Sequence, residues 1–194
     1  MNESFFAYLS RMRYIGRWSL MRNALPENIQ EHSHMVAVLA HALGVIRRDV
    51  FHVPCRPEEA AAVALFHDSS EILTGDLPTP IKYANREILD SYREIEDRAA
   101  DRLCSLLPAD FRADYEAILK QSGEGDEALR PFVKAADRFS ALIKCIEEMR
   151  MGNDEFRRAR ETIAESIHAM HLPEAEVFER EFLPAFSLPL DELG

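Results

Sequence analysis

Cysteine is scarce and unpatterned. Cys55, Cys104 and Cys145 are the only three, and none forms a Cys-x-x-Cys pair, which argues against a disulfide framework or a zinc ribbon and fits free thiols in a reducing compartment. Glycine is low, at 7 residues against 10 prolines, a balance that suits helices separated by proline-marked breaks. No segment alternates apolar and polar residues with the period of a strand. No apolar run approaches the roughly 20 residues of a membrane span. The N-terminus has no unbroken apolar centre and carries Arg11 and Arg13 late, so it does not read as a signal peptide, and a cytoplasmic protein is expected. Positive charge is also short: 23 Lys and Arg face 34 Asp and Glu, for a net charge of -11. Such a surface repels a nucleic-acid backbone and argues against a polymer partner. A small anionic substrate remains open, because local arginines or a metal reverse the field inside a cleft.

What is present is helical. The 194 residues are 47% hydrophobic and 29% charged, the balance of a globular protein with a core. Residues 5–12 read as a first helix, broken by Gly16, with Arg17 and Trp18 in or beside the turn. Asn28, with Glu31 three residues on, has the form of a capping box. It starts a helix to about Arg48 whose face Met35, Val36, Leu39, Leu43 keeps the 3.6 period. Pro54 and Pro57 precede an alanine-rich helix expected to end near 73–75. The prolines at 78 and 80 make 76–80 a loop. Further helices are expected at 85–107, 111–119, 128–151 and 154–171, with a loop at 121–126 and an irregular tail around Pro184 and Pro189. The expectation is one all-α domain over residues 1–194.

The alanine-rich helix carries His67 and Asp68 near its end. A helix apolar all round is buried, and a buried carboxylate costs several kcal/mol unless it is paired. A divalent metal is a strong compensator for an adjacent His and Asp. The two side chains leave a helix about 100° apart, so both reach one ion only at a helix end or where they bend inward. Candidates for the remaining ligands are His32, His34, His41 and Asp137. His32 shares the Met35, Val36, Leu39 face, and Asp137 lies between Val133 and Ala141 at i-4 and i+4. Spacing alone does not choose among the histidines.

Glu31-His32-Ser33, His67-Asp68 and Asp137 together resemble the H…HD…D pattern of the HD-domain phosphohydrolases. More specifically, the chain is similar to the bacterial 5′-deoxynucleotidase YfbR family. Arg17-Trp18, Met21-Arg22-Asn23, His67-Asp68-Ser69-Ser70-Glu71, Thr74-Gly75-Asp76-Leu77-Pro78-Thr79-Pro80, Lys134-Ala135-Ala136-Asp137 and Gly152-Asn153-Asp154-Glu155-Phe156 carry the likeness over nearly the whole length. The resemblance implies a helical bundle of the HD-domain type and a homodimer. It also implies removal of phosphate from 2′-deoxyribonucleoside 5′-monophosphates. It makes His32, His67, Asp68 and Asp137 the metal ligands, with His32, Asp68 and Asp137 also next to substrate, and leaves His34 and His41 as structural or surface residues.

Roles for the neighbours follow from the chemistry. A phosphate monoester needs its charge neutralised, a nucleophile and a proton for the leaving oxygen. Glu71, four residues after His67, is expected on the same helix face about 6 Å away and is a candidate to deprotonate the attacking water. Asp76 is a candidate to protonate the departing 5′-oxygen or to bind the sugar hydroxyl, with Leu77, Pro78 and Thr79 fixed beside it against the substrate. Arg17 offers a planar fork for phosphate. Trp18, the only tryptophan, is a candidate to pack on the sugar and exclude a 2′-hydroxyl, or else a core anchor. No base-reading motif is visible, so broad base tolerance is expected. The two-His, two-Asp set suits Mn, Co or a similar divalent ion. Another HD-type hydrolase, a triphosphohydrolase or a phosphodiesterase on a cyclic or signalling nucleotide, is the alternative; a triphosphate would want more clustered cations than Arg11, Arg13, Arg17 and Arg22, and a nucleotide sensor would not need both Glu71 and Asp76.

Overall fold

A computed structural model describes residues 3–120 and 126–194. Among these the chain is helical, with one isolated antiparallel bridge, Gly16 to Asn28, and no strand, which bears out the all-α expectation. The first helix is shorter than expected: α1 (Phe5–Leu9) tightens into a 3-10 turn over Ser10–Tyr14. The Asn28 cap is present, its side chain accepting the amides of Gln30 and Glu31 at the head of α2 (Ile29–Val45). This helix widens into a π turn, Ile46–Val50, before the proline-rich link.

The alanine-rich segment does not run as one helix. It stops at α3 (Pro57–Phe66), and a separate turn of helix, α4 (Glu71–Thr74), follows four non-helical residues. Polar side chains cause the break by competing for the carbonyls of the last turn: the Ser69 hydroxyl donates to the Phe66 carbonyl at 2.7 Å, and His67 Nδ1 donates to the Ala64 carbonyl at 2.7 Å. Residues 76–80 are likewise not all loop. Thr79 opens the single-turn α5 (Thr79–Lys82), with Pro80 early enough in it to cost no hydrogen bond.

The rest follows the expected order with shifted ends: α6 (Arg86–Cys104), α7 (Ala109–Lys120), α8 (Asp126–Arg150) and α9 (Arg157–His168). The loop expected at 121–126 lies outside the described residues, except that Asp126 already begins α8. Gly152, at φ +81, closes α8, with the Asn153 amide returning to the Glu148 carbonyl. The helix expected to reach 171 ends at His168, and His171 sits at φ +49. One helix was not anticipated: α10 (Pro173–Glu181) starts on a proline and buries Ala175 and Phe178.

Helices α2, α3 and α8 form the centre. Val36, Leu39, Ala40 and Leu43 meet Ala60, Val63 and Ala64 from α3 and Phe132, Ala136, Phe139 and Ile143 from α8. Ile167 of α9 and Phe178 of α10 close the cluster on one side. The α2–α3 approach depends on Gly44, where an added Cβ would lie 2.9 Å from the Pro57 Cα. A second cluster of Phe5, Leu103 and Leu107 packs with Phe66 and Tyr115. No helix among the described residues is long and apolar enough to cross a membrane.

Candidate active site

His32 stands one turn into α2 and is fully buried. Its Nδ1 is hydrogen-bonded to the Ser140 hydroxyl of α8 at 3.1 Å, which fixes the ring from behind. His67 follows the last residue of α3. A carbonyl cannot donate, so the bond to Ala64 places a proton on Nδ1, and in the neutral ring Nε2 carries the lone pair. The Nε2 atoms of both rings are buried and lack a hydrogen-bond partner. They stand 3.5 Å (His32) and 3.1 Å (His67) from the same Asp68 oxygen, Oδ2. Two donors each about 2.0–2.1 Å from one centre would stand about 3–3.5 Å apart. His32, His67 and Asp68 therefore form a set of mutually close donor atoms whose orphaned nitrogens and spacing fit a single divalent cation. Asp137 of α8, half-buried, joins through His32, with Oδ1 3.1 Å from Nε2.

His67 keeps helical torsions (φ -59, ψ -35) just past α3, so the two side chains meet by bending inward at the helix end. The break after Phe66 changes the position of Glu71, which starts α4 instead of sharing a helix face with His67. It is buried, and its Oε2 has no partner. Burial, with the neighbouring Asp68 and Asp76 carboxylates, pushes Glu71 up to about 9. Asp76 comes just after Gly75, whose φ of +73 turns the chain out of α4. Burial raises Asp76 too, against the pull of Arg17 and with a further push from Asp68. Burial also opposes the charged forms of Asp68 and His67. Their mutual attraction outweighs it, lowering Asp68 and raising His67. Burial and Asp68 work against ionisation of Asp137, but His32 and His67 prevail and lower it.

Arg17 and Trp18 sit on a loop held closed by the Arg17 amide bonding to the Glu27 carbonyl at 2.9 Å. Arg17 Nη1 reaches Asp68 Oδ2 at 3.5 Å, so the guanidinium borders the His–Asp cluster. Trp18 packs on Phe156, ring centroids 5.3 Å apart.

The 5′-deoxynucleotidase YfbR-like family matches residues 4–186. A 5′-deoxynucleotidase of Pectobacterium atrosepticum is 45% identical over 100% of this chain and 98% of its own. One of Vibrio parahaemolyticus is also 45% identical, over 100% of both chains. The chain belongs to the YfbR-like 5′-deoxynucleotidase family. Among solved structures, an HD-domain phosphohydrolase of Listeria innocua superposes with TM-score 0.79 at 24% identity, covering 94% of this chain and 88% of that one. A cyanophage S-2L HD phosphohydrolase, bound to dA and one catalytic Zn2+, gives TM-score 0.65 at 19% identity, over 92% and 95%. Both share the fold of the family.

Placed on this family's fold, most of the residues singled out in the sequence border one another. His32, His67, Asp68 and Asp137 converge, with Arg17 alongside. Asp76 lies close enough to Glu71 for its carboxylate to help hold Glu71 protonated. Leu77 and Pro78 are half-buried after Asp76, and Thr79 is exposed. His34 is exposed, and neither it nor His41 joins the donor set. Sequence reasoning missed four residues. Ser140, three residues after Asp137 on the same face of α8, was open to a periodicity argument. Tyr92 accepts or donates to Thr74 Oγ1 at 3.3 Å, and Lys82 lies 4.7 Å over the Tyr92 ring while bonding Glu96 at 2.9 Å. Neither had a sequence signal, and nor did Glu27.

Proposed function

We propose that the chain hydrolyses 2′-deoxyribonucleoside 5′-monophosphates to deoxynucleoside and phosphate, with a divalent cation held by His32, His67, Asp68 and Asp137. The observation that carries this is the convergence of two orphaned imidazole nitrogens on Asp68, beside a buried and unpartnered Glu71, in a family of 5′-deoxynucleotidases.

When bound, the cation neutralises phosphate charge and makes water a better nucleophile. The chain supplies the rest. Arg17 binds a phosphate oxygen through its planar fork. Glu71 takes the proton of the attacking water; burial and the neighbouring Asp68 and Asp76 carboxylates make it a strong base once ionised. Asp76, whose pKa is raised by burial, delivers a proton to the departing 5′-oxygen or holds the sugar hydroxyl. Leu77, Pro78 and Thr79 line the sugar side. Trp18 packs against the ribose ring where a 2′-hydroxyl would stand, so ribonucleotides are poor substrates and the base is read loosely.

Mn2+ and Co2+ suit the two-His, two-Asp set. The chain works as one domain and as a homodimer, a reading supported by large exposed apolar side chains such as Leu190 (87%) and Phe182 (50%). Leu183 and Phe186 instead pack on the chain's own core. The free thiols Cys55, Cys104 and Cys145 fit a cytoplasmic setting.

Incubation with Mn2+ and a panel of nucleotides, with the products identified, tests the function. Free phosphate and deoxynucleoside are expected from deoxyribonucleoside monophosphates. Release of triphosphate from triphosphates, or opening of a cyclic diester, without monophosphate hydrolysis would overturn it.

A further inference from the structure

One carboxylate oxygen in the loop before α2 holds two of the residues assigned to substrate. Glu27 Oε2 accepts Trp18 Nε1 at 2.9 Å and Arg17 Nε at 3.1 Å. Arg17 and Glu27 are both largely buried, with side-chain exposures of 13% and 15%, so water competes poorly for these bonds. We propose that Glu27 is a positioning residue that sets the Arg17 guanidinium and the Trp18 indole as one unit, coupling the grip on phosphate to the exclusion of the ribose 2′-hydroxyl. The proposal rests on the substrate roles given above to Arg17 and Trp18.

The surroundings separate this job from simple loop closure. The loop's main chain is anchored elsewhere: the buried Glu148 of α8 accepts the amides of Ala24 at 2.8 Å and Leu25 at 3.0 Å, and Asn153 Nδ2 donates to the Arg22 carbonyl at 2.7 Å. Asn23 Nδ2 donates to the carbonyls of Trp18 at 3.3 Å and Met21 at 2.9 Å. Trp18 needs such support, since it sits at φ +58, a conformation a bulky side chain adopts only when its neighbours impose it. These contacts fix where the backbone runs. They do not touch the Arg17 and Trp18 side chains, whose shared hydrogen-bond acceptor is Glu27, beside the looser contacts of Arg17 with Asp68 and of Trp18 with Phe156.

For Arg17 the direction matters. Glu27 binds the Nε edge, which turns Nη1 toward Asp68 at 3.5 Å. That distance is a loose contact, not a close bidentate pair. Without Glu27 the guanidinium loses its hold at Nε, and Asp68, left as its carboxylate partner, draws it inward over the donor set. For Trp18, loss of the Nε1 bond frees the indole to rotate about χ2 against Phe156. Phosphate grip and sugar discrimination would therefore fail together, although neither Arg17 nor Trp18 has changed.

The test uses Glu27→Ala, Glu27→Gln and Glu27→Asp beside Arg17→Ala and Trp18→Ala, all in the full chain. It reads kcat and KM with Mn2+ on a deoxyribonucleoside 5′-monophosphate and its ribonucleotide counterpart. Because Trp18 is the only tryptophan, its emission without substrate reports the indole environment directly. Glu27→Ala is expected to lower kcat/KM on the deoxyribonucleotide about tenfold or more, as small misplacements of positioning groups do. The deoxyribo-to-ribo ratio should fall toward that of Trp18→Ala, and the emission should move to the red. Glu27→Gln, which keeps the shape, should do the same more weakly, and Glu27→Asp should recover part of the loss. Should Glu27→Ala lose its melting transition, the near-isosteric Glu27→Gln decides. Wild-type ratio and emission in the Glu27 variants, while Trp18→Ala changes the ratio, overturn the proposal alone. Unchanged selectivity and KM in Arg17→Ala and Trp18→Ala overturn the substrate roles beneath it, and the proposal with them.

Discussion

The imidazoles of His32 and His67 lie 5.3 Å apart, centroid to centroid, at an interplanar angle of 52°. Each is tied through Nδ1, to Ser140 and to the Ala64 carbonyl, and each turns an Nε2 that makes no hydrogen bond toward the Asp68 carboxylate. Rings locked from behind and unsatisfied in front are arranged as metal ligands usually are.

Exhaustive chelation is expected to abolish phosphate release, and added Mn2+ or Co2+ to restore it. His67→Ala should lose bound metal as well, measured as metal per chain after dialysis. Undiminished release from metal-free protein would sink the metal site.

Glu71→Ala is expected to keep nucleotide binding and to cost at least about 10²-fold in kcat. Glu71 acts as a base only after losing its proton, and a divalent cation on Asp68 would ease that loss, so the wild-type rate should rise with pH along an acidic limb. The acidic limb should vanish in the variant. Near-normal turnover removes Glu71 as the base.

Trp18→Ala should raise activity on ribonucleotides relative to deoxyribonucleotides. Paired kcat/KM values for the two sugars check it, and an unchanged ratio assigns Trp18 to packing on Phe156 alone.

Glu148 makes a pH-dependent contribution to stability away from the site. Burial works against its charge, but Lys144, the amides of Leu25 and Ala24, and Asn153 hold it down at about 2, from an ordinary 4.5. Below 4.5 the unfolded chain therefore takes up this proton more readily than the folded one. The stabilisation is complete above 4.5 and is lost as pH falls toward 2. The melting temperature should drop through that window, and Glu148→Gln should melt lower at neutral pH with a shallower acid slope. Parallel slopes for the two proteins would contradict this.

Gly44→Ala should destabilise the fold by about 1–3 kcal/mol, because the new methyl meets Pro57 backbone, which cannot swing aside as a side-chain tip can. Denaturant unfolding measures it, and an unchanged midpoint would show that α2 and α3 can separate slightly without loss.

Much of this protein is local and hence written in the chain. The 3.6-residue apolar stripe of α2, the Asn28 cap and the absence of alternating segments depend on neighbours within a turn or two, so composition and spacing decided the all-helical class. The His67-Asp68 pair in an apolar segment was enough to call for a compensating charge. Tertiary structure decided the rest. Whether α3 continues past Phe66 depends on two side chains taking carbonyls from its last turn, a competition that helix propensity alone does not resolve. That break places His67 and Asp68 at a helix end, where their side chains bend toward one centre, and moves Glu71 into the next helix. His32 outranks His34 and His41 because α2 presents it to α8, where Ser140 and Asp137 wait. Glu27 acquires a role only because a closed loop returns it to Arg17 and Trp18. In each case donor atoms meet through the packing of separate segments, and their separation in sequence carries no trace of that meeting.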